Sequence, residues 1–179
     1  MIRERSAPVD LARFASWVRV DVRYSDLDAQ GVVNNATYFT YFEHARVHFF
    51  ERLRAETSQE SSASASGGAT GYTAAGMPFV LAHATCAYRR PITSLAPLQV
   101  GVRCAAAGRA TLEMEYVICD RPGTEAMVYA SGTTTAVCVD PRTGKPRSLP
   151  EWTRRALDRE RAAVAAINGP AHADAPAEA

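Results

Sequence analysis

Asp26 and Asp28 stand two residues apart in the stretch VRYSDLDAQGVVNNATYFTYFEHAR, from Val22 to Arg46, where an alternating run gives way to a polar turn and then to a long aromatic segment. A carboxylate can work on a carbonyl compound in two ways, by attacking the carbon or by taking a proton from the water that does. Either needs a partner that polarises the carbonyl oxygen, and the first turn of a helix supplies one. Its leading N–H groups lack intrahelical acceptors and carry partial positive charge. Asp28 lies a few residues ahead of such a helix start. By themselves, two turn aspartates need do no more than end a strand and charge the helix that follows.

The elements that would position these groups can be read from periodicity. Val18, Val20 and Val22 alternate with Arg19, Asp21 and Arg23, the pattern of a half-buried strand. Asp26, Asp28 and Gly31 interrupt it, and Asn34 or Asn35 is the expected N-cap of a helix starting near Ala36. Tyr38, Phe42, Ala45, Phe49 and Leu53 recur at helical steps, widened by Phe39, Tyr41, Arg46 and Phe50, so one broad face of a helix over 36–54 must be buried. Residues 56–76 are rich in Ser, Ala, Gly and Thr without periodicity and read as a flexible insertion. Four strands are expected next: 79–88, 98–104, 111–118 and 127–139, with turns at Ala107-Gly108-Arg109 and Arg121-Pro122-Gly123. They predict an antiparallel meander of adjacent hairpins. Pro150 opens a helix over 151–167, and the chain from Asn168 has no apolar period. The expected organisation is an N-terminal extension over 1–17, one domain over 18–149, a C-terminal helix over 150–168 and a disordered tail over 169–179.

The pattern D-x-D-x-x-G-x-V-x-N followed by a Tyr-rich helix with E-x-A-R is carried here by Asp26, Asp28, Gly31, Val33, Asn35, Tyr38, Tyr41, Glu43, Ala45 and Arg46. It resembles the 4-hydroxybenzoyl-CoA thioesterase family of hotdog-fold acyl-CoA thioesterases, and the likeness extends over roughly 18–140, including Tyr88-Arg89-Arg90-Pro91. The resemblance implies an α+β hotdog fold, an antiparallel five-stranded sheet wrapped around a long central helix, here with an added C-terminal helix. It implies that Asp28 is the catalytic carboxylate, as nucleophile or general base, and that the backbone N–H near Asn35 polarises the thioester carbonyl. Tyr38 and Phe42 are then expected beside the acyl group, and Arg89 and Arg90, with Arg103, are candidates for the CoA phosphates. Many relatives carry His where this chain has Val32 or Asn35. One carboxylate can suffice, because a thiol leaving group with a pKa of about 8.5 needs little acid help.

The same resemblance implies at least a dimer, a homodimer or homotetramer with active sites between subunits, which would also cover the edge strand that a single sheet leaves unpaired. Two other activities fit parts of the pattern. One is hydrolysis of acyl carrier protein thioesters; the other is acyl-CoA binding without turnover, which would not require Asp28. A hydratase of this fold would need a His and Asp pair at the helix start, whereas His44 and His48 fall in mid-helix.

The remaining features bound the answer. His44 and His48 share a helix face at i, i+4 but have no third ligand in view, so neither metal nor cofactor is expected. Glu43 and Arg46, at i, i+3, can pair. Cys86, Cys104, Cys119 and Cys138 all lie in strand-like runs and read as free, packed thiols. With 179 residues, 47% hydrophobic content and net charge +1, the chain fits one domain and shows no electrostatic footprint for nucleic acid or an anionic membrane. No run reaches signal-peptide or spanning length, which predicts a cytoplasmic protein.

Overall fold

The computed structural model describes residues 8–58 and 79–167. After a short 3-10 turn at Leu11–Arg13 come β1 (Ser16–Val20), a second 3-10 turn (Tyr24–Asp26), α1 (Thr37–Ser58), β2 (Phe79–Tyr88), β3 (Leu98–Ala107), β4 (Thr111–Cys119), β5 (Val128–Cys138) and α2 (Glu151–Ile167). This is an α+β arrangement with one antiparallel five-stranded sheet, in the order β1-β3-β4-β5-β2.

That order corrects the expected meander. Only β3, β4 and β5 are consecutive neighbours; β2 crosses to the far side of the sheet and pairs with β5, with Thr85 opposite Thr133 and Ala87 opposite Ser131. The connection from β2 to β3, residues 89–97, contains Pro91 and Pro97 and is too long for a tight hairpin turn. Its composition therefore already spoke against direct pairing. The first strand is also earlier than its alternation suggests, because Val22 falls beyond β1 while remaining buried in the core.

α1 lies against β1 and β3 and meets α2. Its stripe is buried as the helical period requires, with Phe42, Ala45 and Leu53 fully enclosed. Phe42 stacks on Tyr116 of β4 at 4.7 Å between ring centroids. Full burial of side chains of this size contributes about 1.5–3 kcal/mol each, so this face fixes the helix on the sheet. The helix runs on through Ser58, four residues past the expected end, since Ala55 and Glu56 are good helix formers and no Gly or Pro interrupts them. The rest of the expected insertion, from residue 59, lies outside the described residues, as do residues 1–7 and the tail from 168.

Phe14 and Trp17 pack on the opposite face of the sheet. Val100 and Val102 point into the core, so Gly101 between them faces away, and a Cβ there would come within 3.1 Å of both aromatic rings. On α2 the buried face comprises Thr153, Ala156, Leu157 and Glu160. Burial raises the Glu160 carboxyl above its ordinary range despite nearby Arg52 and Arg103.

Candidate active site

The turn between β1 and α1 is built around Asp26, not Asp28. The Asp26 side chain is only 4% exposed and accepts hydrogen bonds from the Arg23 backbone N–H (2.9 Å), the Arg23 guanidinium (2.9 Å to Oδ1) and the Tyr41 hydroxyl (2.9 Å). Burial alone would push its carboxyl up, but the bonds from Arg23 and Tyr41 together outweigh that and hold it below the usual carboxylate value. The Tyr41 hydroxyl is correspondingly raised, by burial first and then by the Asp26 bond. Asp26 thus ties the strand exit to the first turns of α1.

From that anchor the chain makes a tight excursion. Leu27 pairs with Val33, the Asp28 N–H donates to the Val32 carbonyl at 2.8 Å, and Gly31 takes φ +74°, a conformation that L side chains rarely adopt. The Val33 N–H donates to the Ile92 carbonyl and the Asn34 N–H to the Asp26 carbonyl, each at 2.9 Å. Asp28 sits half-buried on this loop. Its Oδ1 accepts from the backbone N–H of Gln30 (2.8 Å) and Val32 (3.4 Å), while no hydrogen bond engages Oδ2 among the described residues.

The start of α1 resolves the two asparagines. Asn34 is the capping side chain: its Oδ1 accepts from the Ala36 N–H at 2.9 Å, and its carbonyl accepts from the Thr37 N–H at 2.9 Å. In a planar trans peptide, C=O and N–H point opposite ways. A carbonyl of Asn34 directed at Thr37 therefore turns the Asn35 N–H away from the helix body, and that N–H donates to no group among the described residues. The end of β2 closes this region from the side, where the Tyr88 hydroxyl donates to the Asn35 carbonyl at 2.9 Å.

The other candidate residues are distributed as follows. Tyr38 is buried, edge-on to Tyr88 at 4.9 Å, and Phe42 is buried one turn further along the helix. Arg89 and Arg90 both donate backbone N–H groups to the Tyr129 carbonyl; the Arg89 Nε reaches the Ser131 Oγ at 3.3 Å and Arg90 is exposed. Arg103 is tied to Glu115 at 2.8 Å on the sheet. His44 and His48 stack edge-on at 4.4 Å, with His48 3.3 Å from Glu51, and Arg46 lies 4.0 Å from Glu43. Among the described residues no group of three or more His, Cys, Asp or Glu side chains gathers as a metal site, and no helix is long and apolar enough to cross a membrane. The four cysteines are free, and burial pushes the Cys86 thiol up to about 11.

Sequence reasoning missed the Tyr41–Asp26 bond and the Tyr88 contact. Helical periodicity places Tyr41 on the buried face but is silent about its hydroxyl. Tyr88 stood in a motif with no stated task, since its partner lies 53 residues away.

Residues 22–157 match the family model of the thioesterase-like superfamily. The chain belongs to the thioesterase-like superfamily. Among solved members of similar shape, a thioesterase from Thermus thermophilus, complexed with coenzyme A and Zn, is 33% identical; the match covers 80% of this chain and 98% of that one, with a TM-score of 0.60. Slr0204, a 1,4-dihydroxy-2-naphthoyl-CoA thioesterase from Synechocystis, is 18% identical over 80% of this chain and 94% of its own, with a TM-score of 0.61, which speaks for the shared fold alone. The uncharacterized protein YsmA of Bacillus subtilis (strain 168) is 26% identical over 140 residues, 78% of this chain and 81% of its own. Membership in the thioesterase-like superfamily and the five-stranded sheet together give the hotdog architecture.

Proposed function

We propose that this protein is an acyl-CoA thioesterase of the 4-hydroxybenzoyl-CoA type, hydrolysing the thioester to a free acid and CoA with Asp28 as nucleophile or general base. The observation that carries the reading is the outward-turned, unengaged N–H of Asn35 at the open end of α1, seven positions beyond a half-buried carboxylate whose Oδ2 is also unengaged. A thioester carbonyl oxygen resting on that N–H would gain stabilisation as it becomes an oxyanion, with help from the positive end of the helix. Asp28 then attacks the carbonyl carbon, or takes a proton from the attacking water, and the thiolate leaves without acid assistance. Coenzyme A bound to the Thermus thermophilus relative supports CoA as the leaving group.

The reading includes a homodimer formed along β2. This strand is an edge of the sheet, and it exposes Val80, Leu81 (50% exposed) and Tyr88. A long apolar edge with open backbone groups is the surface a second copy would pair with, which would bring the two helix starts beside the junction. Tyr38 and Phe42 would stand behind the acyl chain, with Arg89 and Arg90 near the phosphates.

The test is thiol release from a panel of aliphatic and aromatic acyl-CoAs by the wild type and by Asp28→Asn. The variant is expected to keep its circular dichroism spectrum and to lose at least about a hundredfold in kcat, equivalent to about 2.7 kcal/mol of barrier. Full turnover in Asp28→Asn would refute the role given to this carboxylate.

A further inference from the structure

Resting on the thioesterase reading, we infer that Tyr88 and Asn34 form a two-handed clamp on the peptide unit joining Asn35 to Ala36, and that Tyr88 is a positioning residue for the carbonyl-polarising N–H. The Tyr88 hydroxyl holds the carbonyl end of that unit at 2.9 Å, and the Asn34 Oδ1 holds its N–H end at 2.9 Å. The unit behind it is held as well, by the Asn34 carbonyl on the Thr37 N–H. With peptide planes fixed on both sides of the Asn35 Cα, its φ and ψ are set, and the one free group left is the outward-pointing Asn35 N–H.

Two consequences follow from this arrangement. Capping by Asn34 removes the Ala36 N–H as a competing donor, so a substrate oxygen meets a single amide at the end of α1. An oxyanion donor works in proportion to how little it must reorganise, so a clamp on the adjacent peptide acts on the transition state more than on substrate affinity. The arm that reaches across is supplied by β2, the strand whose outer edge is open. Tyr88 is itself braced edge-on by Tyr38 at 4.9 Å, which gives the buried Tyr38 ring a part in aiming that hydroxyl.

The experiment compares Tyr88→Phe, Asn34→Ala, Asn34→Asp and the double variant Tyr88→Phe/Asn34→Ala by steady-state thiol release, with hydrogen exchange of the Ala36 amide followed by NMR. Tyr88→Phe is expected to lower kcat by roughly tenfold or more while KM stays within about twofold, and to speed exchange at Ala36. Asn34→Asp, which keeps an acceptor for the Ala36 N–H, should retain most of the activity that Asn34→Ala loses. The double variant should lose less than the product of the single losses, because both side chains hold one peptide unit. Tyr88→Phe with kcat within about twofold of wild type overturns the clamp. Should the wild type release no thiol from any acyl-CoA, the hydrolase reading falls separately. The exchange data then decide: faster exchange at Ala36 in Tyr88→Phe upholds the clamp, and unchanged exchange overturns it.

Discussion

Asp26 is the carboxylate this turn cannot do without structurally, and its partners define how it responds to acid. The bond from the Tyr41 hydroxyl to a nearly enclosed anion is charge-assisted, and Tyr41→Phe is expected to cost about 1.5–3 kcal/mol in chemical denaturation at neutral pH. Because the folded-state pKa of Asp26 lies below its ordinary 3.8, the stabilisation it brings is complete above that value and is lost as the pH falls through the lowered folded value. An acid titration of stability should therefore show Tyr41→Phe losing ground at a higher pH than wild type, since one of the bonds that depress the pKa is gone. Residue-scale legibility was uneven for a plain reason. Arg23 and Asp26 are three apart and could be paired on sight, whereas Tyr41 is 15 residues from Asp26 and its hydroxyl leaves no trace in a hydrophobic pattern.

At the scale of elements, α1 was legible because a helix with one buried stripe writes its period into the chain: Tyr38, Phe42, Ala45, Phe49 and Leu53 are all buried. The strands were legible individually for the same reason, but their order was not, since alternation says which face is buried and nothing about the neighbour. What joins helix to sheet is partly an absence of side chain. A Cβ at Gly132 of β5 would approach the Phe42 ring to 2.6 Å and collide with the Thr85 carbonyl of β2, a backbone atom that cannot swing aside. Gly132→Ala is accordingly expected to destabilise by about 2–3 kcal/mol in urea denaturation. The same substitution should also disturb the β2–β5 register on which Tyr88 depends. No single-chain pattern marks Gly132, because the ring it accommodates comes from a helix 90 residues earlier in the chain.

For the whole molecule, the open side of β2 decides the state of assembly. Leu81→Lys places a charge on the exposed apolar edge without touching the α1 stripe or the Asp28 loop, and is expected to shift the protein from dimer to monomer in sedimentation velocity at micromolar concentration. Thiol release should fall in parallel if the junction contributes to the site. Wild-type protein that sediments as a monomer would remove the proposed dimer. The need for a partner was readable beforehand from the edge a single sheet must leave, but which strand forms that edge required the crossing of β2 to be seen.

That crossing also bears on how the chain reaches its working form. The hairpins β3–β4 and β4–β5 close over short intervals, with Tyr116 and Thr134 only 18 positions apart, whereas Thr85 must find Thr133 across 48. Longer closures cost more entropy and come later in assembly. Tyr88 rides on the strand that makes the long journey, so the aim of the helix-end amide is among the final things folding achieves, and a nascent chain with most of its sheet in place would still be catalytically immature.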